Sequence, residues 1–411
     1  MLRELEQEKQ AKTNGNGAHA PFVYQGFDYF KLDAMLTDKH RALREQVQRF
    51  VQQEVLPNIN PYWEKGEFPH EIAKKMQSLP IMGGFLHGYG CAGLDPLEVG
   101  LVMYELAKGD GSISTFYGVH SGLAMGSIGL LGSDEQRERW LPAMARLEKI
   151  GAFALTEPLR GSDAVNVQTT AVRDGDDYIL NGAKRWIGNA SIADLIVVWA
   201  QDAAGGLGGF IIEDPQNTPG VHIQVIGGKI GKRAVLNADI KLENVRVPAA
   251  NRLAKSNSFR DTAKVLAVTR YGVAWEATGV AAGCFELALK YAKEREQFGQ
   301  PIGGFQLIQQ KLVEMATELT QMQLVSFQLA NLMATRQMTE GVAAMAKYNN
   351  ARKARRIADL ARETLGGNGI LIENHIARLF LDAEVIYTYE GTNEINMLIV
   401  GRDLTSLNAF V

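Results

Sequence analysis

The sequence predicts a mainly α-helical protein with a central β-domain, and three observations predict it. The apolar period changes from helical to strand-like near residue 151 and returns to helical after 251. Between those points apolar runs of strand length recur, with no helical pattern separating them. Later, Phe305, Ile308, Leu312, Met315, Leu319, Met322, Leu329 and Met333 form an alternating three- and four-residue seam that only Ser326 interrupts. Such a seam belongs to helices packed at a shallow angle in a bundle. The expected order is a disordered or extended tail over 1–35, an N-terminal α-helical domain over 36–150, a small β-barrel or sandwich over 151–250 and a helical bundle over 251–411.

Each element has its own signal. Leu43, Val47, Phe50 and Val51, then Ile72, Met76 and Leu79, recur at helical spacing. Gly88, Gly90 and Gly93 break the run as a loop, and the helical pattern resumes over 99–106 and 118–131. Gly132 reads as a C-cap, followed at Ser133 and Gln136 by a new helix start. Asp174-Gly175-Asp176-Asp177 between Val167–Arg173 and Tyr178-Ile179-Leu180 is a hairpin signature. Residues 195–199, 209–212, 221–226 and 240–247 supply further strands, which Pro248 closes. A second long helix, rich in Ala and Arg, runs to Leu365 and stops at Gly366-Gly367.

Composition excludes several functions. Of 411 residues, 46% are apolar and 22% charged, which is ordinary for a soluble globular protein. A net charge of −3 offers no basic face for a nucleic acid, and no apolar run is long enough to span a membrane. Cys91 and Cys284, far apart in apolar company, read as buried structural thiols in a reducing compartment rather than as a disulfide or metal site. There is no G-x-G-x-x-G after a strand, no phosphate-loop lysine motif and no C-x-x-C. Residues 1–20 are polar and carry acidic residues, unlike a leader, and 407–411 lack a Ser-Lys-Leu address, so a cytoplasmic location is expected.

Three stretches suggest chemistry. Around Tyr389-Glu390-Gly391-Thr392, Gly391 permits close backbone approach, and Thr392 or Asn393 suits a helix N-cap. A carboxylate among Tyr387, Tyr389 and apolar neighbours would be partly desolvated and usable as a general base. An ordinary solvated loop glutamate is the alternative, and that stretch by itself favours it. The loop from Phe153 through Leu155, Thr156, Glu157, Gly161 and Ser162 to Asp163 is dense in backbone donors and hydroxyls, a lining for a polar heterocycle or pyrophosphate. Lys184-Arg185-Trp186-Ile187-Gly188-Asn189 places an indole at a strand end; stacking on a planar cofactor and burial in the barrel core are equally good readings.

Together these segments resemble the flavin-dependent acyl-CoA dehydrogenases over about 36–410. Gly132-Ser133-x-x-Gln136-Arg137-x-x-Trp140-Leu141-Pro142, Ala154-Leu155-Thr156-Glu157-Pro158-x-x-Gly161-Ser162-Asp163, Arg295-x-Gln297-Phe298-Gly299-x-Pro301, Leu365-Gly366-Gly367-Asn368-Gly369 and Tyr389-Glu390-Gly391-Thr392 match in order and spacing. One motif is weak; five in register are specific. The 184–189 and 387–392 segments look most like the branch containing glutaryl-CoA dehydrogenase and the plant short-chain acyl-CoA oxidase. The resemblance implies N-terminal helices, a central β-barrel, a C-terminal four-helix bundle, FAD, and α,β-desaturation of an acyl-CoA.

Residue by residue, it implies that Glu390 removes the α-proton, with its backbone N–H on the thioester oxygen, while Gly391 admits the acyl group and Thr392 touches the flavin. Phe153, Leu155, Thr156, Gly161, Ser162, Trp186, Ile187, Gly188 and Phe410 match the flavin lining, with Ser162 also near CoA. Arg295, Gln306, Leu365, Gly366 and Gly367 match residues that reach the FAD of a neighbouring subunit, so a homo-oligomer, a tetramer, is expected. Arg270 matches a buried arginine near the CoA and the base. Thr269 beside it is not the carboxylate that some branches use as base, which leaves Glu390 alone.

The chain departs from the pattern twice. Gly188 stands where most members carry Thr or Ser, so an acyl-CoA oxidase using dioxygen stands beside a dehydrogenase serving an electron-transfer flavoprotein. Replacement of the missing hydroxyl by water or a backbone N–H is the alternative. Ser114 stands where glutaryl-CoA dehydrogenase has an arginine, so glutaryl-CoA is expected to be a poor substrate. Phe116, Tyr117, Leu123 and Met125 are candidates for the acyl pocket of a short- or medium-chain substrate, with helix core the alternative for each. A non-catalytic or nucleic-acid-binding relative would lose the base or gain a basic face, and Glu390 and the net charge speak against both.

Overall fold

Thr37 opens helix α1 (Asp38–Phe50): its hydroxyl accepts the His40 N–H, and the His40 ring accepts the Thr37 N–H. In the computed structural model, residues 29–202 and 206–409 are described; the tail over 1–28 and Phe410 lie outside them. Residues up to Met35, with one 3-10 turn at Leu32–Met35, belong to a unit separate from Leu36 onward. After α1 come α2 (Ile59–Lys65), α3 (His70–Lys75), α4 (Pro96–Gly109), α5 (Gly111–Tyr117), α6 (Met125–Leu131) and α7 (Asp134–Ala145). Asp95 and Glu98 cap α4 reciprocally with Pro96 in the first turn, and Ser133 with Gln136 does the same for α7, as its sequence predicts.

Two local features were not legible in the sequence. Residues Gly118–Ala124 form a π-helical segment between α5 and α6. There His120 is buried, its Nδ1 accepting the Gly151 N–H (3.0 Å) and its Nε2 lying 3.0 Å from the Met144 carbonyl. Since Nδ1 accepts, Nε2 carries the proton. Phe153 and Ala154, read as the start of a loop, belong to a strand over 151–154. Its short apolar run pairs in parallel with the 195–198 run, a partner invisible to local pattern.

The strands are β1 (Gly151–Ala154), β2 (Thr170–Asp174), β3 (Asp177–Gly188), β4 (Leu195–Asp202), β5 (Gly206–Glu213), β6 (Val221–Val225) and β7 (Asn237–Pro248). They form one curled sheet in the order β1-β4-β2-β3-β7-β6, with β5 antiparallel on β4. The predicted hairpin is β2–β3, with Asp174 opposite Asp177. A shift of register between Lys184 and Ile187 puts a bulge in β3 against β7.

The C-terminal region packs α8 (Phe259–Glu294), α9 (Gln306–Ala334), α10 (Glu340–Thr364), α11 (Ile376–Ile386) and α12 (Asn393–Thr405), with a small hairpin, β8 (Glu296–Gln297) and β9 (Gln300–Pro301), after α8. The seam on α9 faces inward: Met315, Leu319, Met322 and Leu329 are buried. Its one polar break, Ser326, is where three helices share hydrogen bonds. Asn350 on α10 donates to Ser326 Oγ (3.1 Å), Thr278 Oγ1 (3.0 Å) and the Ala274 carbonyl (3.2 Å). A satisfied buried node of this kind fixes the register of helices that apolar packing alone would let slide. Between domains, α4 lies hard on α8: a Cβ at Gly279 would fall 2.2 Å from the Tyr104 carbonyl oxygen.

Candidate active site

Helix α11 ends at Ile386, and the chain reverses through Glu390 (φ +53°) and Gly391 (φ +78°) before Thr392 caps α12. The Thr392 hydroxyl accepts the Ile395 N–H at 3.2 Å, one of the two caps the sequence offered. A glutamate in the left-handed region costs on the order of 1–3 kcal/mol and persists only where its surroundings hold it. Here Asn396 Nδ2 donates to the carbonyls of Gly391 (2.9 Å) and Thr392 (3.0 Å). Lys347 Nζ, from α10, donates to those of Gly391 (2.9 Å) and Tyr387 (3.3 Å).

The reversal aims Glu390 at α8, where the Thr269 hydroxyl lies 2.9 Å from Oε2. Burial pushes the carboxyl above its ordinary value; Arg270, the Thr269 hydroxyl and Lys347 pull against it without cancelling it. Arg270 is buried, its Nη1 on Glu340 (2.8 Å) and its Nε without a partner among the described residues. Glu390 is thus no freely solvated loop residue.

Next to it, Tyr389 enters a buried polar cluster that the sequence reading missed. Its hydroxyl donates to Glu276 Oε2 (2.5 Å). Lys232, carried in by the loop between β6 and β7, places Nζ 2.5 Å from Glu276 Oε1 and 2.6 Å from both Tyr389 Oη and Thr115 Oγ1. Ser114 Oγ also donates to Glu276 (2.5 Å). A cation therefore does stand beside Ser114, but it is already neutralised by Glu276. Nothing local in the sequence marks Lys232, which sits in a loop of ordinary composition.

Of the acyl-pocket candidates, Phe116 packs against Phe68 with ring centroids 5.1 Å apart, and Tyr117 donates to the Ile81 carbonyl (3.0 Å). Met125 is fully buried in the core and Leu123 is half-buried on its edge. The helix-core reading holds for the first two and for Met125. Cys284 is buried as expected, whereas Cys91 is only half-buried.

The bulge in β3 decides the two readings of Trp186. Lys184 turns inward to Glu157 (2.9 Å), and Trp186, at φ +65°, is thrown outward and left 50% exposed beneath the Arg185 guanidinium, 5.2 Å from its ring. It is not barrel core. Glu157 is the pin of the neighbouring loop: its carboxylate accepts the N–H groups of Gln168 (2.6 Å) and Thr169 (2.8 Å) and the Thr169 hydroxyl (2.6 Å). Burial would raise Glu157, yet these bonds and Lys184 bring it below its ordinary value, while burial pushes Lys184 down to about 8 against the pull of Glu157. Thr156 is left half-buried and Gly161 and Ser162 exposed. Phe153, Leu155, Ile187 and Gly188 are buried, the first two with their side chains in the core between α- and β-domains. From there only their backbone groups are offered to a ligand.

Arg295, Gln306, Leu365, Gly366 and Gly367 gather at one end of the bundle. Arg295 ends α8, Gln306 begins α9, and the turn after α10 is tied to α8 by Asn368 Nδ2 on Tyr291 Oη (2.9 Å). All but Leu365 are exposed, and Phe298 at the tip of β8–β9 is 94% exposed. A Cβ at Gly161, Gly366 or Gly367 would meet no neighbouring heavy atom within 4 Å, so a ligand has room to approach the chain there. An outward indole, a hydroxyl-bearing pinned loop and open glycines fit a cofactor with a flat ring and a pyrophosphate.

Family models match along the chain: acyl-CoA dehydrogenase N-terminal domain over 37–148, middle domain over 152–245 and C-terminal domain over 259–405. The chain is 38% identical over 374 residues to a 3-(aryl)acrylate reductase of Clostridium sporogenes (strain ATCC 15579), covering 90% of this chain and 99% of that protein. It is 33% identical over 375 residues to the mitochondrial short-chain specific acyl-CoA dehydrogenase of Rattus norvegicus, covering 90% of each. A crystal structure of a glutaryl-CoA dehydrogenase from Mycobacterium smegmatis in complex with FADH2 superposes with a TM-score of 0.92 at 36% identity, covering 95% of this chain and all of that one. The chain belongs to the acyl-CoA dehydrogenase family, whose cofactor is FAD.

Proposed function

We propose that this enzyme desaturates a short- or medium-chain acyl-CoA to its trans-2-enoyl-CoA, with Glu390 as the base that removes the α-proton. The observation that carries the reading is Glu390 itself: a half-buried carboxylate with a raised pKa, held in the left-handed region by flanking anchors and steadied by Thr269. FAD, when bound, supplies the acceptor for the β-hydrogen as hydride. The residues of the chain do the rest. An α-proton is too weakly acidic for a carboxylate unless the thioester oxygen is stabilised as charge develops, and the Glu390 backbone N–H is the donor assigned to it. Gly391 admits the acyl group, and Arg270 and Ser162 take the CoA side. Phe153, Leu155, Thr156, Gly161, Ser162, Trp186, Ile187, Gly188 and Thr392 line the flavin. Arg295, Gln306, Leu365, Gly366 and Gly367 complete the flavin site of a neighbouring subunit in a homotetramer.

Anaerobic addition of acyl-CoAs of increasing length to the purified yellow protein tests this reading: flavin absorbance bleaches with the preferred chain length, and failure of every acyl-CoA to bleach it overturns the proposal. Admitting air then separates the two acceptors. Bleaching that persists until an electron-transfer flavoprotein is added marks a dehydrogenase; rapid recovery with peroxide marks an oxidase. Gly188 bears on that choice: a Cβ there would approach Val119 Cγ2 to 3.2 Å, so a side-chain hydroxyl needs Val119 to give by a few tenths of an ångström. The single variant Gly188→Ser is expected to lose about 1–3 kcal/mol through overpacking. Adding Val119→Ala should restore the melting temperature and slow reoxidation by air; unchanged reoxidation would remove Gly188 from the acceptor question.

Trp186→Ala tests the flavin lining. Because the indole is half-exposed, stability of the apoprotein should change by no more than about 0.5 kcal/mol. A lost ring stack is worth about 1 kcal/mol, so FAD should dissociate roughly fivefold more readily, as read by ultrafiltration of the holoenzyme.

A further inference from the structure

Lys347 is buried in α10, a helix whose other core positions are mostly alanine, and it forms no ion pair within 4 Å among the described residues. Its ammonium group instead spans the reversal that carries Glu390: one hydrogen bond to the Tyr387 carbonyl before the glutamate and one to the Gly391 carbonyl after it. Burying an ammonium on two neutral carbonyls is costly unless its charge serves something nearby. The charged groups facing it are Glu390 and Glu394 across the reversal and Arg270 and Glu276 from α8.

We propose that Lys347 is the positioning residue of the base: it clamps the reversal on both sides of Glu390 and, as a fixed cation, favours the carboxylate form that takes the proton. This deepens the assignment of Glu390 as base and rests on it. The clamp explains how a non-glycine residue stays at φ +53° beside a glycine at φ +78°. The charge sets the working range. Burial and Glu276 push Glu390 up, Lys347 is among the groups that pull it down, and burial pushes Lys347 itself down to about 8, so below that pH the clamp carries its charge. Losing the cation therefore raises the Glu390 pKa and moves the acid limb of the reaction to higher pH.

The test uses FAD-loaded wild type, Lys347→Met and Glu390→Gln. Acetyl-CoA has an α-carbon but no β-carbon, so uptake of deuterium from D2O into its methyl group reads the base alone. Lys347→Met is expected to exchange at least about tenfold more slowly at pH 6. Its acid limb should rise in pH, for acetyl-CoA exchange and for anaerobic flavin reduction by the acyl-CoA that bleaches wild type, with the dissociation constant for acetyl-CoA little changed. Slower exchange with an unmoved acid limb would mean a merely structural lysine and overturn the proposal, as would wild-type exchange. Should the methionine variant not accumulate, Lys347→Gln keeps a donor without the charge, and its limb must still rise. Glu390→Gln exchanging at the wild-type rate would instead overturn the base assignment, whatever Lys347 does.

Discussion

Replacing Glu390 by Gln should leave a yellow, folded, FAD-containing protein whose flavin is no longer bleached by acyl-CoA. The amide keeps the shape of the side chain and a contact to Thr269, so neither packing nor flavin binding has reason to change. What disappears is the carboxylate assigned to that place, since position 269 on α8 is Thr and offers no second one. General-base contributions run to about 10²–10⁴-fold, and stopped-flow reduction of the flavin should fall by at least that much. A variant reducing at the normal rate would end the assignment. The raised pKa of Glu390 adds a pH signature. Its carboxylate form is lost as pH falls through that value, so the wild-type rate should drop on the acid side at a pH above that of an ordinary glutamate.

The largest loss of stability is expected from Arg378→Met. Arg378 and Asp110 form an ion pair with both side chains fully buried. Arg378 Nε also donates to Asn60 (2.7 Å), while its Nη2 lies 2.9 Å from His375 Nδ1. Asp110 in turn accepts the N–H groups that start α5, and Asp382 binds the Gly111 and Lys232 N–H groups. Removing the guanidinium leaves Asp110 as an unpaired buried charge beside Asp382, a situation that costs about 3–5 kcal/mol. Urea melts of FAD-saturated wild type and variant should show it.

The sign of the pH effect follows from the same groups. Burial and Asp110 already raise Asp382, and losing Arg378, which pulls it down, raises it further. Groups whose folded pKa exceeds the unfolded value bind extra protons when folded, so they stabilise most at low pH and lose that contribution as pH rises through the folded value. His375, held down to about 4 by burial and Arg378, is released in the same direction. The deficit of Arg378→Met should therefore shrink between pH 8 and pH 5.5; a deficit that grows would contradict the buried-charge account.

Much of this was legible in the chain. The hairpin signature around Asp174-Gly175-Asp176-Asp177 and the three-four seam from Phe305 rest on turn residues and on which residues must face a core, and the structure keeps both. The capping residues Ser133 and Thr392 were legible because the groups they satisfy lie within three positions. The Trp186 ambiguity was not resolvable locally, since it turns on a register shift between β3 and β7. The β1 strand was hidden for the same reason: four small and apolar residues become a strand only when β4 lies beside them.

Residue types and spacings, then, determined by themselves the order of helical and strand domains, the family, and Glu390 as the candidate base. Tertiary structure alone decided what surrounds that base. Thr269 reaches its carboxylate from α8 and Lys347 its flanking carbonyls from α10, while Glu276 from α8 and Lys232 from a loop in the β-domain hold the neighbouring Tyr389. The reason is physical. Helix period, strand alternation and capping act within a few residues, whereas desolvation and Coulomb forces act through space between segments far apart in sequence, and they set the protonation of Glu390.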